Sequence, residues 1–390
     1  MITPQPFAVD VPDATIRRIL ERVRLYEWPE TPEGGGWAYG TNLDYMKELA
    51  AYWVSGYDWR AEEAKLNGLP HFRAEAGGTT LHFVRERGSG TDPMPLVLIH
   101  GWPGSFFEFA HVVEPLAHPE RFGGSAEDAF DVIVPSLPGY GFSGKPKRPI
   151  GPRTIAGHLH ALMTGVLGYE RYLAQGGDWG SAVSAWLGFD HPDSCRGVHL
   201  NMVLTRGADS VPETEEEKRW DAEFRKSFRR EGAYFSVQST RPQSLAYAMM
   251  DSPVGVAAWI VEKFAAWSDL EKTPAGEPDV ESRYTKDQLL TNVMIYLVTR
   301  TFATASWLYR GLYDDKPAEF PPGTRVEVPV GVAAFPGDGV FKTPPRGFVE
   351  KAYNVRRWSE MPSGGHFAAL EEPELFVEDV RAFARDLRQG

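Results

Sequence analysis

Apolar residues at Ile16, Ile19, Leu20 and Val23 follow Asp10-Val11-Pro12-Asp13 at helical spacing. The pattern predicts an amphipathic helix that starts at this acidic, proline-bearing turn. Pro29, Pro32 and Gly34-Gly35-Gly36 end it; Leu43, Met46, Leu49, Ala50 and Trp53 then predict a second helix, and residues 81–84 a short strand. From about residue 91 the pattern changes. Largely apolar runs at 95–99, 130–134 and 172–175, with another strand at 198–203, alternate with helical spacings such as Ala182, Val183, Trp186 and Leu187. Apolar strands alternating with helices predict a parallel sheet covered on both faces, in which ligands bind beyond the C-terminal strand ends. Strands vanish between about 205 and 320, a helical, charged and aromatic stretch broken at Asp251-Ser252-Pro253. They return at 328–335 and 353–358 before a last helix at 374–387. The expected organisation is therefore an extension (1–90) packed on core and cap, a core (91–204 and 321–390) and a helical cap (205–320) over the strand ends.

Composition narrows the function classes. The net charge is −12, from 41 basic and 53 acidic residues, and no basic stripe is present, which argues against a nucleic-acid partner. The single cysteine, Cys195, cannot form an internal disulfide and reads as a small buried hydrophobe. The opening MITPQPFAVDVPD lacks the basic-then-apolar order of a signal peptide, and no window reaches the roughly 18 uninterrupted apolar residues of a membrane span. A cytoplasmic protein without a membrane anchor is expected.

The chemistry concentrates at predicted strand ends. Gln175-Gly176-Gly177-Asp178-Trp179-Gly180-Ser181 has the glycine-flanked form of a strand-to-helix elbow, with Asp178 where ester hydrolases place serine. An aspartate there could also simply cap the following helix. His100-Gly101-Trp102-Pro103-Gly104 follows the first core strand; in sheets of this kind the residue after His-Gly and the residue after the nucleophile supply oxyanion-hole N–H groups, here Trp102 and Trp179. A cis bond before Pro103 suits this loop. His100 reads as a core histidine supporting it. Ser363-Gly364-Gly365-His366-Phe367 places a glycine-flanked histidine before the last helix, which makes His366 the candidate general base. Its orienting carboxylate is either Asp338, between glycines at a strand end, or Asp209 in an irregular stretch; the position favours Asp338.

Six separated stretches carry a resemblance: HGWPGSFFEF, PSLPGYGFSGKP, QGGDWGS, DSPVGVAAWIVEKF, LLTNVMIYL and SGGHFAALEEPELF. Together they resemble the microsomal-type epoxide hydrolases over nearly the whole chain. The resemblance implies an α/β-hydrolase fold with a mostly parallel sheet, a helical cap insertion and an N-terminal wrapping extension. It implies Asp178 as nucleophile, His366 as base and Asp338 as its acid, where many relatives carry the longer Glu. It also implies two cap tyrosines as proton donors, Tyr234 in Gly232-Ala233-Tyr234-Phe235 and Tyr309 in Ser306-Trp307-Leu308-Tyr309-Arg310. The implied partner is a small-molecule epoxide, with Trp102 and Trp179 beside it, and neither metal nor organic cofactor takes part. Membrane-bound animal members begin with an apolar anchor, and none is expected here. Haloalkane dehalogenation is the second reading, since it shares the Asp nucleophile and His base but serves halide with N–H donors instead of phenols. A ligand-binding relative without turnover is the third. A homodimer, and a role in detoxification or in secondary metabolism, are left open.

Overall fold

One nine-stranded sheet organises the computed structural model, which describes residues 3–389. Its strands are β1 (Gln5–Phe7), β2 (His71–Ala76), β3 (Thr79–Glu86), β4 (Met94–Ile99), β5 (Phe130–Pro135), β6 (Tyr172–Gly176), β7 (Cys195–Leu200), β8 (Val326–Ala334) and β9 (Tyr353–Glu360). They lie in the order β1-β2-β3-β5-β4-β6-β7-β8-β9. From β5 to β9 every neighbouring pair is parallel, while β1, β2 and β3 join antiparallel at one edge. Both β5 and β6 are buried along their whole length, as a sheet covered on both faces requires. This is the α/β-hydrolase fold with an N-terminal extension.

The extension differs from its sequence pattern. Two helices and one strand, at 81–84, are expected there, yet β1, β2 and a helix at Trp59–Leu66 are also present. β1 is three residues long and contains Pro6, and β2 carries His71, Arg73 and Glu75 at alternate positions. Short, charged edge strands have little apolar signal of their own; pairing with β3 supplies their hydrogen bonds. The seventh strand is also displaced, running from Cys195 to Leu200 instead of 198–203, because its pairing with β6 begins at Tyr172 opposite Cys195. Cys195 itself is fully buried, and burial pushes its thiol up to about 12.

Helices Asp13–Arg24 and Leu43–Ser55 of the extension pack against Pro253–Trp267 and Lys286–Thr299, two helices of the block between β7 and β8. That block is anchored to the loops at the strand ends by polar contacts. Asn292 Nδ2 donates to Pro103 O (2.8 Å), and Tyr296 OH, one helical turn on, donates to Gly104 O (2.6 Å). Tyr140 OH donates to Ala305 O (3.2 Å) and Thr304 Oγ1 to Gly139 O (2.6 Å), which fastens helix Phe302–Asp314 to the loop after β5. Gly139 has φ +84°, a conformation that favours glycine.

Gly180 shows how tightly the elbow is built: a Cβ there would run into the carbonyl oxygen of Ile99 at the end of β4. Alanine is ordinarily the better helix residue by about 1 kcal/mol. At Gly180 the overlap with rigid backbone wins, and Gly180→Ala is expected to destabilise the fold by about 1–3 kcal/mol. Urea unfolding would read this as a lower midpoint; an unchanged or higher midpoint would refute the close packing of helix on strand.

Candidate active site

Four parallel strands each deliver one part of the site at their C-terminal ends: β4 the His100–Trp102 loop, β6 Asp178, β8 Asp338 and β9 His366. Asp178 opens helix Asp178–Asp190 with φ +47°, the strained left-handed region. The flanking glycines make this turn feasible. A Cβ on Gly176 would meet the backbone of Gly180, and one on Gly177 would meet the Asn201 amide. Asp178 therefore does not act as an N-cap; that position is Gly177, and the aspartate points away from the helix start.

The Asp178 carboxylate is buried between two groups. Trp102 N–H donates to Oδ1 at 2.7 Å, and His366 Nε2 stands 3.5 Å from Oδ2 without forming a hydrogen bond to it. Gly101 is required here, since a Cβ would collide with the carboxylate. Trp102–Pro103 is cis. The second expected N–H donor behaves differently: Trp179 N–H makes no hydrogen bond to Asp178 and is a first-turn amide with no intrahelical acceptor.

Behind the imidazole, His366 Nδ1 lies 2.8 Å from Asp338 Oδ2. Asp338 is locked in turn, its Oδ1 accepting from Val340 N (2.9 Å) and Phe341 N (2.7 Å). The aspartate thus reaches the histidine despite its shorter side chain. Asp209 is elsewhere, exposed and accepting from Gly323 N at 2.8 Å. Burial opposes a charge on His366, but the carboxylates of Asp338 and Asp178 outweigh it and raise the imidazole to about 10. His100 is unlike it. Burial lowers it to about 4; its Nδ1 faces Gly101 O (3.0 Å) and its Nε2 accepts from Leu137 N (3.1 Å), a neutral loop support.

Tyr234 and Tyr309, from helices Ala233–Thr240 and Phe302–Asp314, are brought to the same place. The Tyr234 ring stacks on Trp102 (centroids 5.2 Å, 10° between planes), and Tyr309 meets Trp179 edge-on at 4.8 Å. Burial, reinforced by the Asp178 charge, holds both phenols well above their usual range, so both are protonated at neutral pH. The Tyr309 hydroxyl is buried and lacks a hydrogen-bond partner among the described residues. An orphaned buried donor is costly unless something else, such as a substrate oxygen, accepts from it. An apolar cavity of about 460 Å³ begins at Trp179 and Phe235, with Met202, Leu204, Phe224 and Phe341 in its wall.

Several residues of the site carried no separate sequence expectation. Lys263 is buried with its Nζ 4.6 Å from the Tyr234 ring centroid, a cation–π contact. Trp267 accepts from His366 N–H through its carbonyl (3.0 Å) and packs its indole 4.7 Å from the imidazole. Glu371 accepts from Gly365 N (2.9 Å), Phe367 N (2.8 Å) and Asp269 N (2.8 Å), gripping the backbone on both sides of His366. Glu108 faces the catalytic pair from the loop after β4. Each lies inside one of the six stretches or beside one, and a lone charge within the apolar run Phe106-Phe107-Glu108-Phe109 was the available signal for the last.

With this geometry in place, comparison with known proteins identifies the family. Residues 4–109 match the model of the epoxide hydrolase N terminus, and residues 94–252 that of the alpha/beta hydrolase fold. The chain is 34% identical to Epoxide hydrolase 1 of Sus scrofa over 99% of its own length and 89% of that protein. Among solved structures, juvenile hormone epoxide hydrolase from the silkworm Bombyx mori superposes with a TM-score of 0.88 at 29% identity, covering 100% of this chain and 96% of that one. Aspergillus niger epoxide hydrolase gives 0.84 at 32% identity, covering 98% and 96%. A buried aspartate on a strained elbow, backed by a His–Asp pair and faced by two phenols, thus belongs to a chain that is a member of the microsomal-type epoxide hydrolase family.

Proposed function

We propose that this protein hydrolyses apolar epoxides to vicinal diols through an ester on Asp178, with Tyr234 and Tyr309 as acid and His366–Asp338 as base. The observation that carries this reading is the Asp178 carboxylate held between Trp102 N–H and His366, with the unpartnered Tyr309 hydroxyl close by. A carboxylate needs no activating base, so the aspartate attacks an epoxide carbon directly while the C–O bond breaks towards the ring oxygen. That oxygen takes a phenolic proton and becomes the first hydroxyl of the diol.

Esterification also removes one of the two negative neighbours of His366, and its imidazolium is expected to become more acidic. Its proton then restores the tyrosine, leaving a neutral imidazole. This base takes a proton from water, whose oxygen adds to the Asp178 carboxyl carbon. The oxyanion develops next to Trp102 N–H, a donor worth roughly 3–4 kcal/mol in such sites. Collapse releases the second hydroxyl with the proton held by His366, and the freed carboxyl group returns a proton to the imidazole. The cycle closes with every group in its starting state.

A single turnover in heavy-oxygen water tests this. The first diol is expected to be unlabelled, having taken its second oxygen from Asp178, and the label should appear in the enzyme. Labelled diol at that stage would show direct attack by water and sink the ester mechanism.

A further inference from the structure

A second, much smaller chamber adjoins Asp178 and shares no lining residue with the apolar cavity. It is bordered by Gly101, Glu108, Asp178, Asn201, His366 and Phe367, and no residue of the helical block between β7 and β8 contributes to it. Its volume, about 10 Å³ as space open to the centre of a water molecule, suits one water, and Glu108, Asp178, Asn201 and His366 are the polar side chains in its wall. His366 is nine-tenths buried, and its Nε2 has no hydrogen-bond partner among the described residues. Glu108 is half-buried and lines the chamber with His366 and Asp178, and its carboxyl feels the charges of both.

We propose that this chamber holds the hydrolytic water and that Glu108 is a positioning residue for it, accepting one water hydrogen while His366 Nε2 takes the other. The proposal rests on the two-step reading above, and it assigns Glu108 to the second step alone. Two fixed hydrogen bonds leave a lone pair of the water oxygen free to face the Asp178 carboxyl carbon, the near-attack geometry that the second step needs. The partition also has a kinetic use. The chamber and the apolar cavity share no lining residue, and neither Tyr234 nor Tyr309 borders the chamber, so the water can stay in place while an epoxide reacts. Withdrawal from solvent pushes the Glu108 carboxyl up to about 8, with the His366 charge opposing and the Asp178 charge adding to the shift. A proton-bearing Glu108 adds no further negative charge beside the nucleophile and still offers its carbonyl oxygen as acceptor.

The test is rapid-quench intact-mass measurement with styrene oxide, which follows formation and decay of the ester separately. In Glu108→Gln the rate of ester formation is expected to stay within about twofold of the parent, while ester decay slows about ten- to a hundredfold. Most of the enzyme would then carry the adduct at steady state, and kcat and KM would fall together with kcat/KM unchanged. Slower ester formation, or decay at the parent rate, would overturn the proposal. Should Glu108→Gln fail to fold, Glu108→Asp, which withdraws the carboxyl by one methylene, has to give the same selective slowing, and its absence refutes the assignment. If neither the parent nor His366→Gln forms an ester, it is the two-step mechanism that fails, a result distinct from either outcome for Glu108.

Discussion

His366→Gln is expected to convert the enzyme into a stable ester, raising its intact mass by one substrate while steady-state turnover falls by about 10³–10⁴-fold. Nδ1 is held by Asp338 at 2.8 Å, Nε2 stands 3.5 Å from the Asp178 carboxyl, and the two carboxylates keep the ring in place. Glutamine fills similar space and can still donate a hydrogen bond, but it cannot take a proton from water. Ester formation needs only the Asp178 carboxylate and the phenols, so the first step proceeds and the second stalls. A folded His366→Gln protein that consumes no epoxide and gains no mass would count against Asp178 as nucleophile. Sustained turnover would count against His366 as base.

The second large effect concerns the phenols. Tyr234→Phe and Tyr309→Phe alone are each expected to slow ester formation about ten- to a hundredfold, and together by more than about 10³-fold. Their rings are 5.8 Å apart and nearly perpendicular, and both pack on Trp102, so one hydroxyl can stand in for the other at the opening ring oxygen. Backing of this kind makes the double substitution worse than either single loss suggests. Phenylalanine preserves the aromatic packing, so the melting temperature should change little; removing the orphaned Tyr309 hydroxyl relieves a buried polar group. A double variant with parent-like rates would reject the tyrosines as acids. Halide release from a bromoalkane by that variant would revive the dehalogenase reading, which needs indole N–H donors such as those of Trp102 and Trp179.

Local motifs made much of this site legible before any coordinates. The elbow glycines around Asp178, the His100-Gly101-Trp102 loop and the glycines before His366 each encode a backbone shape over a few residues, and each follows a strand of the sheet. Other parts depended on residues far apart in the chain. Asp338 and Asp209 both follow predicted strands, and only the 2.8 Å approach of Asp338 to His366 separates them. Asn292 and Tyr296 read as one face of a helix, with nothing local to say that they hold Pro103 and Gly104. β1 and β2 were hidden for a related reason: their hydrogen bonds come from β3, and their own residues are short in apolar signal.

Periodicity and glycine placement, properties of neighbouring residues, are enough to determine the alternating sheet and to single out Asp178 and His366 as candidates at its strand ends. Which carboxylate supports the histidine, where Trp102 N–H points, that Tyr234 and Tyr309 share one indole and that Glu108 borders the nucleophile are decided by packing alone. Those relations join groups separated by tens to hundreds of residues, and a burial or a hydrogen bond between such groups exists only once the sheet and the helices above it have closed on each other.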